Sequence, residues 1–136
     1  MENSIRIGMT DVLSMDVTKN MLAQSTGSAD IAVLSTSMLI NTIEMLCSKI
    51  LKENLLGKNL TSVGTTINVK HISPTPDGMS IKAKATVLSV DRNQVIFKAE
   101  VWDQNDLICT GIHNRIIVDR KEFENQAKNK LRKIVK

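Results

Sequence analysis

One segment limits what this chain can fold into. From Ser35 or Thr36 to about Glu53 the apolar residues recur at steps of three and four: Leu39, Ile43, Leu46 and Ile50, with Ile40, Cys47 and Leu51 widening the stripe. Either hydroxyl at the start can accept a hydrogen bond from a free N–H of the first turn. Gly57 marks a stop beyond it. No other long internal helix is written in the sequence. A helix apolar around so much of its girth must be covered on more than one side, as when a sheet wraps it and a second subunit covers the rest.

The remainder alternates with the period of strands. Residues 11–18 read as a first strand, before the helix, and a polar loop over 24–28 leads to the short apolar run Ala32-Val33-Leu34. After the helix, Val63, Thr65, Ile67, Val69 and His71 share one face by period two. The cluster Pro74, Pro76, Asp77 and Gly78 makes a turn. Residues 79–91 put Met79, Ile81, Ala83, Ala85 and Val87 on one face, and 94–103 do so with Val95, Phe97, Ala99 and Val101. A last strand covers 107–118, and a basic helix covers about 120–134. One helix against one face of an antiparallel sheet is a two-layer α+β domain. The order predicts the hot dog fold: a long central helix wrapped by a five-stranded antiparallel sheet, with residues 1–136 as one domain.

Composition narrows the functional classes. The chain of 136 residues can bury a core without disulfides or metals. Its net charge of +4 comes largely from Lys128, Lys130, Arg132, Lys133 and Lys136; without them the body is close to neutral. Single-strand nucleic-acid binding wants aromatic residues among the cations for stacking, and this tail has none, so no nucleic-acid partner is expected. Cys47 and Cys109 lack the close pairing of a metal or redox motif and sit in apolar runs, so no metal is expected. No apolar run is long enough to span a bilayer, and no secretory signal is visible, so the expectation is a cytoplasmic protein without a membrane partner.

Nucleophile elbow, phosphate loop, dinucleotide fingerprint and zinc-protease motifs are all missing. Chemistry must come from polar residues set among apolar ones. Glu44 lies between Ile43 and Met45; it is either a carboxylate held in a site, where burial would raise its pKa and suit a general base or nucleophile, or a solvated charge on the helix edge. Thr36 stands at the positive end of the helix dipole, where it can help hold an oxyanion or simply cap. His71 closes an apolar strand face and can move a proton or serve as a hydrogen-bonded edge residue. His113 and Arg115 share a face of the last strand; they can bind phosphate or carboxylate, or pair at the surface with Asp119 or Glu100.

These positions together resemble one family. The run Leu34-Ser35-Thr36-Ser37-Met38 followed by Glu44 is similar to the helix start of the fluoroacetyl-CoA thioesterase family. The strand from Ser62-Val63-Gly64-Thr65 to His71 resembles its SVGT…H strand, and Gly111-Ile112-His113-Asn114-Arg115 its GxHxR strand. The resemblance covers nearly the whole chain in order. It implies a hot dog fold, hydrolysis of a short acyl-CoA thioester, and a homodimer with its sites at the interface. Thr36, Glu44 and His71 then form the catalytic set, with Gly64 near the thioester carbonyl and Thr65, His113 and Arg115 on the substrate. No cofactor is implied, since coenzyme A arrives as part of the substrate. One departure stands out. The fluoroacetyl-specific enzyme carries an aromatic lid before the helix, whereas residues 28–32, Ser-Ala-Asp-Ile-Ala, contain none. A preference for fluoroacetyl-CoA is therefore not expected. The rival readings are a non-catalytic acyl-CoA-binding module, a hot dog hydratase and, ranked last, a nucleic-acid binder acting through the basic tail, whose mark would be steep salt dependence.

Overall fold

The computed structural model describes residues 4–55 and 57–134. Strand β1 (Thr10–Asp16) leads through a 3-10 turn (Lys19–Met21) and the short helix α1 (Ala23–Thr26) to the long helix α2 (Thr36–Asn54). Four strands follow: β2 (Leu60–His71), β3 (Ser80–Asp91), β4 (Gln94–Trp102) and β5 (Leu107–Asp119), then helix α3 (Arg120–Arg132). The sheet order is β1-β3-β4-β5-β2, every pair antiparallel. The chain thus lays down one edge, crosses by way of α2 to the other, and returns to fill the middle. This is the α+β hot dog arrangement, with five strands and one long helix. The turn of helix over 19–26 was not visible in the polar loop there.

The core lies between α2 and the concave face of the sheet. Leu39, Ile43, Leu46, Cys47, Ile50 and Leu51 are buried on the helix. Facing them are Ile81, Ala83, Ala85 and Val87 of β3 and Val95, Phe97, Ala99 and Val101 of β4, all buried, as the period-two alternation predicts. The three alanines matter because a helix can approach a sheet closely only where side chains are small. Each fully buried Leu or Ile contributes roughly 1.5–3 kcal/mol, so this one interface dominates the stability of the domain.

Strand β2 departs from expectation. A bulge between Gly64 and Thr66 inserts Thr65 as an extra residue: Gly64 pairs with Arg115 and Thr66 with Asn114. Val63 lies opposite Ile116, whereas Ile67 lies opposite His113. Residues 113 and 116 of β5 point to opposite faces. Val63 and Ile67 therefore do not share a face. Strict alternation holds only beyond the bulge, where Ile67, Val69 and His71 turn toward α2. A bulge of this kind re-aims side chains, and here it points Gly64 inward.

Helix α3 starts where expected and ends at Arg132; no residue of it is buried. Asp119 caps it, accepting a hydrogen bond from the Glu122 N–H at 3.0 Å.

Candidate active site

Two polar clusters lie along α2. The first is at its N-terminus. Ser35, not Thr36, is the N-cap: its hydroxyl accepts from the Met38 N–H at 3.2 Å. That leaves the Thr36 hydroxyl free, and it meets His71 Nδ1 at 2.9 Å. The sequence left the cap open between the two residues, and the geometry assigns one task to each. His71 is half-buried at the end of β2, where Val33, Ile72, Ser73 and Pro74 line a small hollow beside it. Its Nε2 is buried and has no hydrogen-bond partner. Burial lowers the imidazole pKa, against the opposing pull of the Ser73 backbone, so the neutral ring is favoured. A neutral imidazole with one nitrogen on a hydroxyl and the other unpaired is poised to pass a proton.

The second cluster is two turns further along. His113 and Arg115 are 1% and 5% exposed. They are not the surface residues paired with Asp119 or Glu100 that one reading of the sequence allowed; they face inward beneath α2. Arg115 Nε donates to Ser62 Oγ at 3.0 Å, Nη2 to the Ser62 carbonyl at 3.1 Å, and Nη1 reaches His113 Nε2 at 3.2 Å. His113 Nδ1 lies 2.8 Å from the Thr66 carbonyl. These partners fix the tautomer. A guanidinium only donates and a carbonyl only accepts, so Nδ1 carries the proton and Nε2 accepts. Burial is the main cause that holds His113 below its ordinary pKa, and Arg115 adds to it, while the Thr66 carbonyl and Glu44 oppose it.

Glu44 closes this cluster from the helix side. It is half-exposed, so neither the fully solvated nor the fully buried alternative describes it. Gly64 explains how the carboxylate comes so close to the sheet. A Cβ at residue 64 would stand 2.9 Å from Glu44 Oε2, 3.0 Å from His113 Cε1 and 3.5 Å from Arg115 Nη1. A side chain there would push the Glu44 carboxylate away from the sheet. The bulge and the glycine together bring a carboxylate, an imidazole and a guanidinium around one stretch of bare backbone. Arg115 spends its hydrogen bonds on Ser62 and His113, and Glu44 acts on it through space.

Thr65 is the exposed bulge residue; its hydroxyl donates to the Asn114 carbonyl at 3.1 Å. A groove of about 550 Å³ is lined by Thr66, Asn68, Lys70, Lys98, Ile112 and others. It lies on the outer face of the sheet, across β2 and β5 from the inward-facing groups, so its size does not make it the catalytic site. Among the described residues no cluster of three or more metal-ligating side chains occurs, and no helix is long and apolar enough to cross a membrane.

Within one chain the structure does not bring Thr36, Glu44 and His71 together. It makes a Thr36–His71 pair and a separate Glu44–Gly64–His113–Arg115 group. Eight residues of helix separate Thr36 from Glu44, about 12 Å along the axis, against the roughly 3 Å that a hydrogen bond spans.

Comparison with known proteins supports the resemblance seen in the sequence. The family model for fluoroacetyl-CoA-specific thioesterase matches residues 17–121. Fluoroacetyl-CoA thioesterase from Streptantibioticus cattleyicolor is 26% identical over 98 residues, covering 72% of this chain and 70% of that protein. A solved structure of a fluoroacetyl-CoA thioesterase superposes with a TM-score of 0.86 at 22% identity, over 93% of this chain and 98% of the other. A Thermus thermophilus protein of the thioesterase superfamily gives 0.85 at 21% identity, over 93% of each chain. The family match begins just past β1 and runs through both polar clusters and the strands that carry them: this hot dog chain belongs to the fluoroacetyl-CoA-specific thioesterase family, a family of thioester hydrolases.

Proposed function

We propose that the protein hydrolyses a short-chain acyl-CoA thioester to the free acid and coenzyme A, as a cytoplasmic homodimer. The observation that carries this reading is the split site. Each half holds part of a hydrolytic apparatus, and the two halves sit at opposite ends of an unpaired sheet edge. Strand β2 has a neighbour, β5, on one side only. A twelve-residue open edge invites pairing with another strand.

Antiparallel pairing of two β2 edges in one register would complete the site. A dyad at Asn68 sets Ile67 against Val69 and Thr66 against Lys70, keeping inward residues opposite inward ones. The bulge then absorbs Thr65 and sets Gly64 against the partner's His71. Each interface so formed unites Thr36 and His71 of one chain with Glu44, Gly64, His113 and Arg115 of the other. A closed two-fold pair carries two such sites.

The chemistry follows from the groups present. A thioester carbonyl bound between the halves meets a carboxylate, a neutral imidazole and a hydroxyl at the positive end of α2. Two routes fit them. In one, Glu44 and His71 activate water, which adds to the carbonyl; the C–S bond breaks and the thiolate takes a proton. In the other, Glu44 or Thr36 attacks first, the C–S bond breaks and the coenzyme A thiolate leaves and takes a proton; water then releases the acyl group from the enzyme as the free acid. Gly64 leaves room for the carbonyl beside bare backbone, and Arg115 places positive charge near the developing negative charge. Neither route calls for a metal or a bound cofactor, as coenzyme A enters with the substrate.

The decisive experiment is a panel of acetyl-, propionyl-, butyryl- and longer acyl-CoA thioesters with detection of free thiol. Turnover that is best on a short chain supports the reading. Tight binding of acyl-CoA without thiol release would favour the non-catalytic acyl-CoA-binding module instead.

A further inference from the structure

The Thr36–His71 pair is held by residues that touch neither partner. Thr75 is 0% exposed, between Pro74 and Pro76 in the loop joining β2 to β3. Its hydroxyl donates to Asp103 Oδ2 at 2.9 Å. The other oxygen, Oδ1, accepts from the N–H groups of Asn105 and Asp106, each at 2.8 Å, within the turn between β4 and β5. The Thr75 carbonyl accepts the Leu34 N–H at 2.8 Å, and the Ser35 N–H donates to the Met21 carbonyl at 3.0 Å. Leu34 and Ser35 are the two residues before Thr36. On the other side, the Ile72 N–H donates to the Ile108 carbonyl at 2.8 Å, just past His71 and just past the same turn.

These contacts close a ring. From His71 the path runs to Thr36, through the backbone to Leu34, to Thr75, to Asp103, through the turn to Ile108, and by way of Ile72 back to His71. Proline at 74 and 76 removes two backbone donors and restricts the residues before each, so Thr75 has little freedom of its own. The Asp103–Thr75 bond is the only side-chain pair in the ring besides the catalytic one. It fastens the β2–β3 loop to the β4–β5 turn, and the loop in turn holds the start of α2.

We propose that Asp103 and Thr75 are positioning residues for catalysis: their side-chain bond sets the distance and burial of the Thr36–His71 pair without contacting substrate. The inference rests on the hydrolytic reading for its kinetic consequence, but not for its effect on the imidazole. A displaced loop would lift Leu34 and Val33 from beside His71 and admit water to the ring. Misplacement of a reacting group by about 1 Å can cost up to about a hundredfold in rate.

The test uses the full-length protein with Thr75→Val, which keeps the shape and loses the hydroxyl, and Thr75→Ser, which keeps the hydroxyl. The chain has two histidines, so their imidazole signals can be followed separately by NMR. Thr75→Val is expected to lower kcat about tenfold with KM changed less than about twofold, and to raise the His71 pKa toward its ordinary value while His113 stays put. Thr75→Ser is expected to restore both. A folded Thr75→Val protein with normal kcat and an unshifted His71, even at a lower Tm, would overturn the proposal, as would a defect that Ser does not repair. If Thr75→Val does not fold, Thr75→Ala, which also lacks the hydroxyl, gives the same two readouts and decides by the same criteria. Should no thioester be turned over by the parent protein, the hydrolytic reading fails, and the His71 titration still decides whether the lock exists.

Discussion

The two polar clusters along α2 are built on different principles. The Thr36–His71 end is held by loops: a single side-chain bond, an unpaired Nε2 and a half-exposed ring. The Glu44 end is held by the sheet: Arg115 and His113 are almost fully buried and committed to fixed partners on β2. The first sits at the last residue of β2 and the first of α2, and can shift with the loops that adjoin them. The second cannot move without disturbing two paired strands. A site made of one half from each chain would therefore combine a rigid electrostatic wall with a more adaptable proton carrier. Adaptation to an acyl group would fall to the loop-held half, since His113 and Arg115 are buried and fixed by their hydrogen bonds.

The strongest way to break this comparison is to remove the carboxylate. Glu44→Gln is expected to cost about a hundredfold or more in turnover of the best acyl-CoA, as loss of a general base or nucleophile does. The fold should survive, because the side chain is half-exposed and outside the core. Wild-type turnover in the folded variant would make Glu44 structural. A sharper version mixes two dead chains, Thr36→Ala and Glu44→Gln. If each site draws on both subunits, a mixed dimer carries one site with both defects and one with neither. Recovered activity is then expected on mixing and refolding. No recovery, with mixed dimers shown to form, would mean that each chain holds a complete site.

Gly64 tests the rigid half. Gly64→Ala is expected to lower kcat/KM by tens-fold, with the larger share in kcat, since a methyl group 2.9 Å from the carboxylate must push Glu44 aside. Of the three nearest atoms, two belong to side chains locked by hydrogen bonds, so Glu44 is the one that yields. A fully active Gly64→Ala protein would show that the close approach is incidental.

How much of this was legible beforehand divides along the same line. The α2 stripe and the β3 and β4 alternation were plain, because both elements are buried on a regular face and obey a single period. Thr36, Glu44 and His71 stood out as polar residues among apolar ones. The β2 bulge was not legible. Ser62-Val63-Gly64-Thr65-Thr66-Ile67 alternates well enough to pass for an unbroken strand, and only the pairing with β5 reveals the extra residue. The inward burial of His113 and Arg115 was missed for a related reason: a polar pair on an edge-proximal strand reads as solvated unless the glycine opposite, Gly64, is seen to make room for it. The Thr75–Asp103 bond joins residues 28 apart through side chains alone, and no periodicity encodes it.

The segment before α2 lacks the aromatic lid that the resemblance to the fluoroacetyl-specific enzyme implies. Residues 28–32 before α2 contain no aromatic side chain, and Ile31 is 56% exposed. No lid of that kind stands over the Thr36–His71 pair. Turnover of fluoroacetyl-CoA and acetyl-CoA is expected to agree within about tenfold in kcat/KM, a margin of about 1.4 kcal/mol. A large preference for the fluorinated substrate would show that another device does the work of the lid.

The smallest effect concerns acid stability, and it compares the two histidines. Both imidazoles have pKa values lowered by burial, so the unfolded chain binds protons more readily than the folded one. Stability therefore rises with pH through the window from the depressed folded values up to the ordinary histidine value of about 6.5, and is fully present above it. On acidification it should be lost from about pH 6.5 downward. A surface carboxylate acts lower still: Asp11, partly exposed and held down chiefly by its bond to Lys49, matters only below about pH 4. A Tm measured from pH 8 to pH 5 should stay level and then fall. The sheet-held half should supply more of the fall than the loop-held half. Protonating His113 would force a second donor against Arg115, with no loop to move aside, whereas a protonated His71 can turn its Nε2 toward solvent as the segment around Val33 opens. His113→Asn is thus expected to flatten the acid limb more than His71→Asn does. Equal flattening by the two, or a level Tm down to pH 5 in the parent protein, would contradict the contrast between a rigid half and an adaptable one.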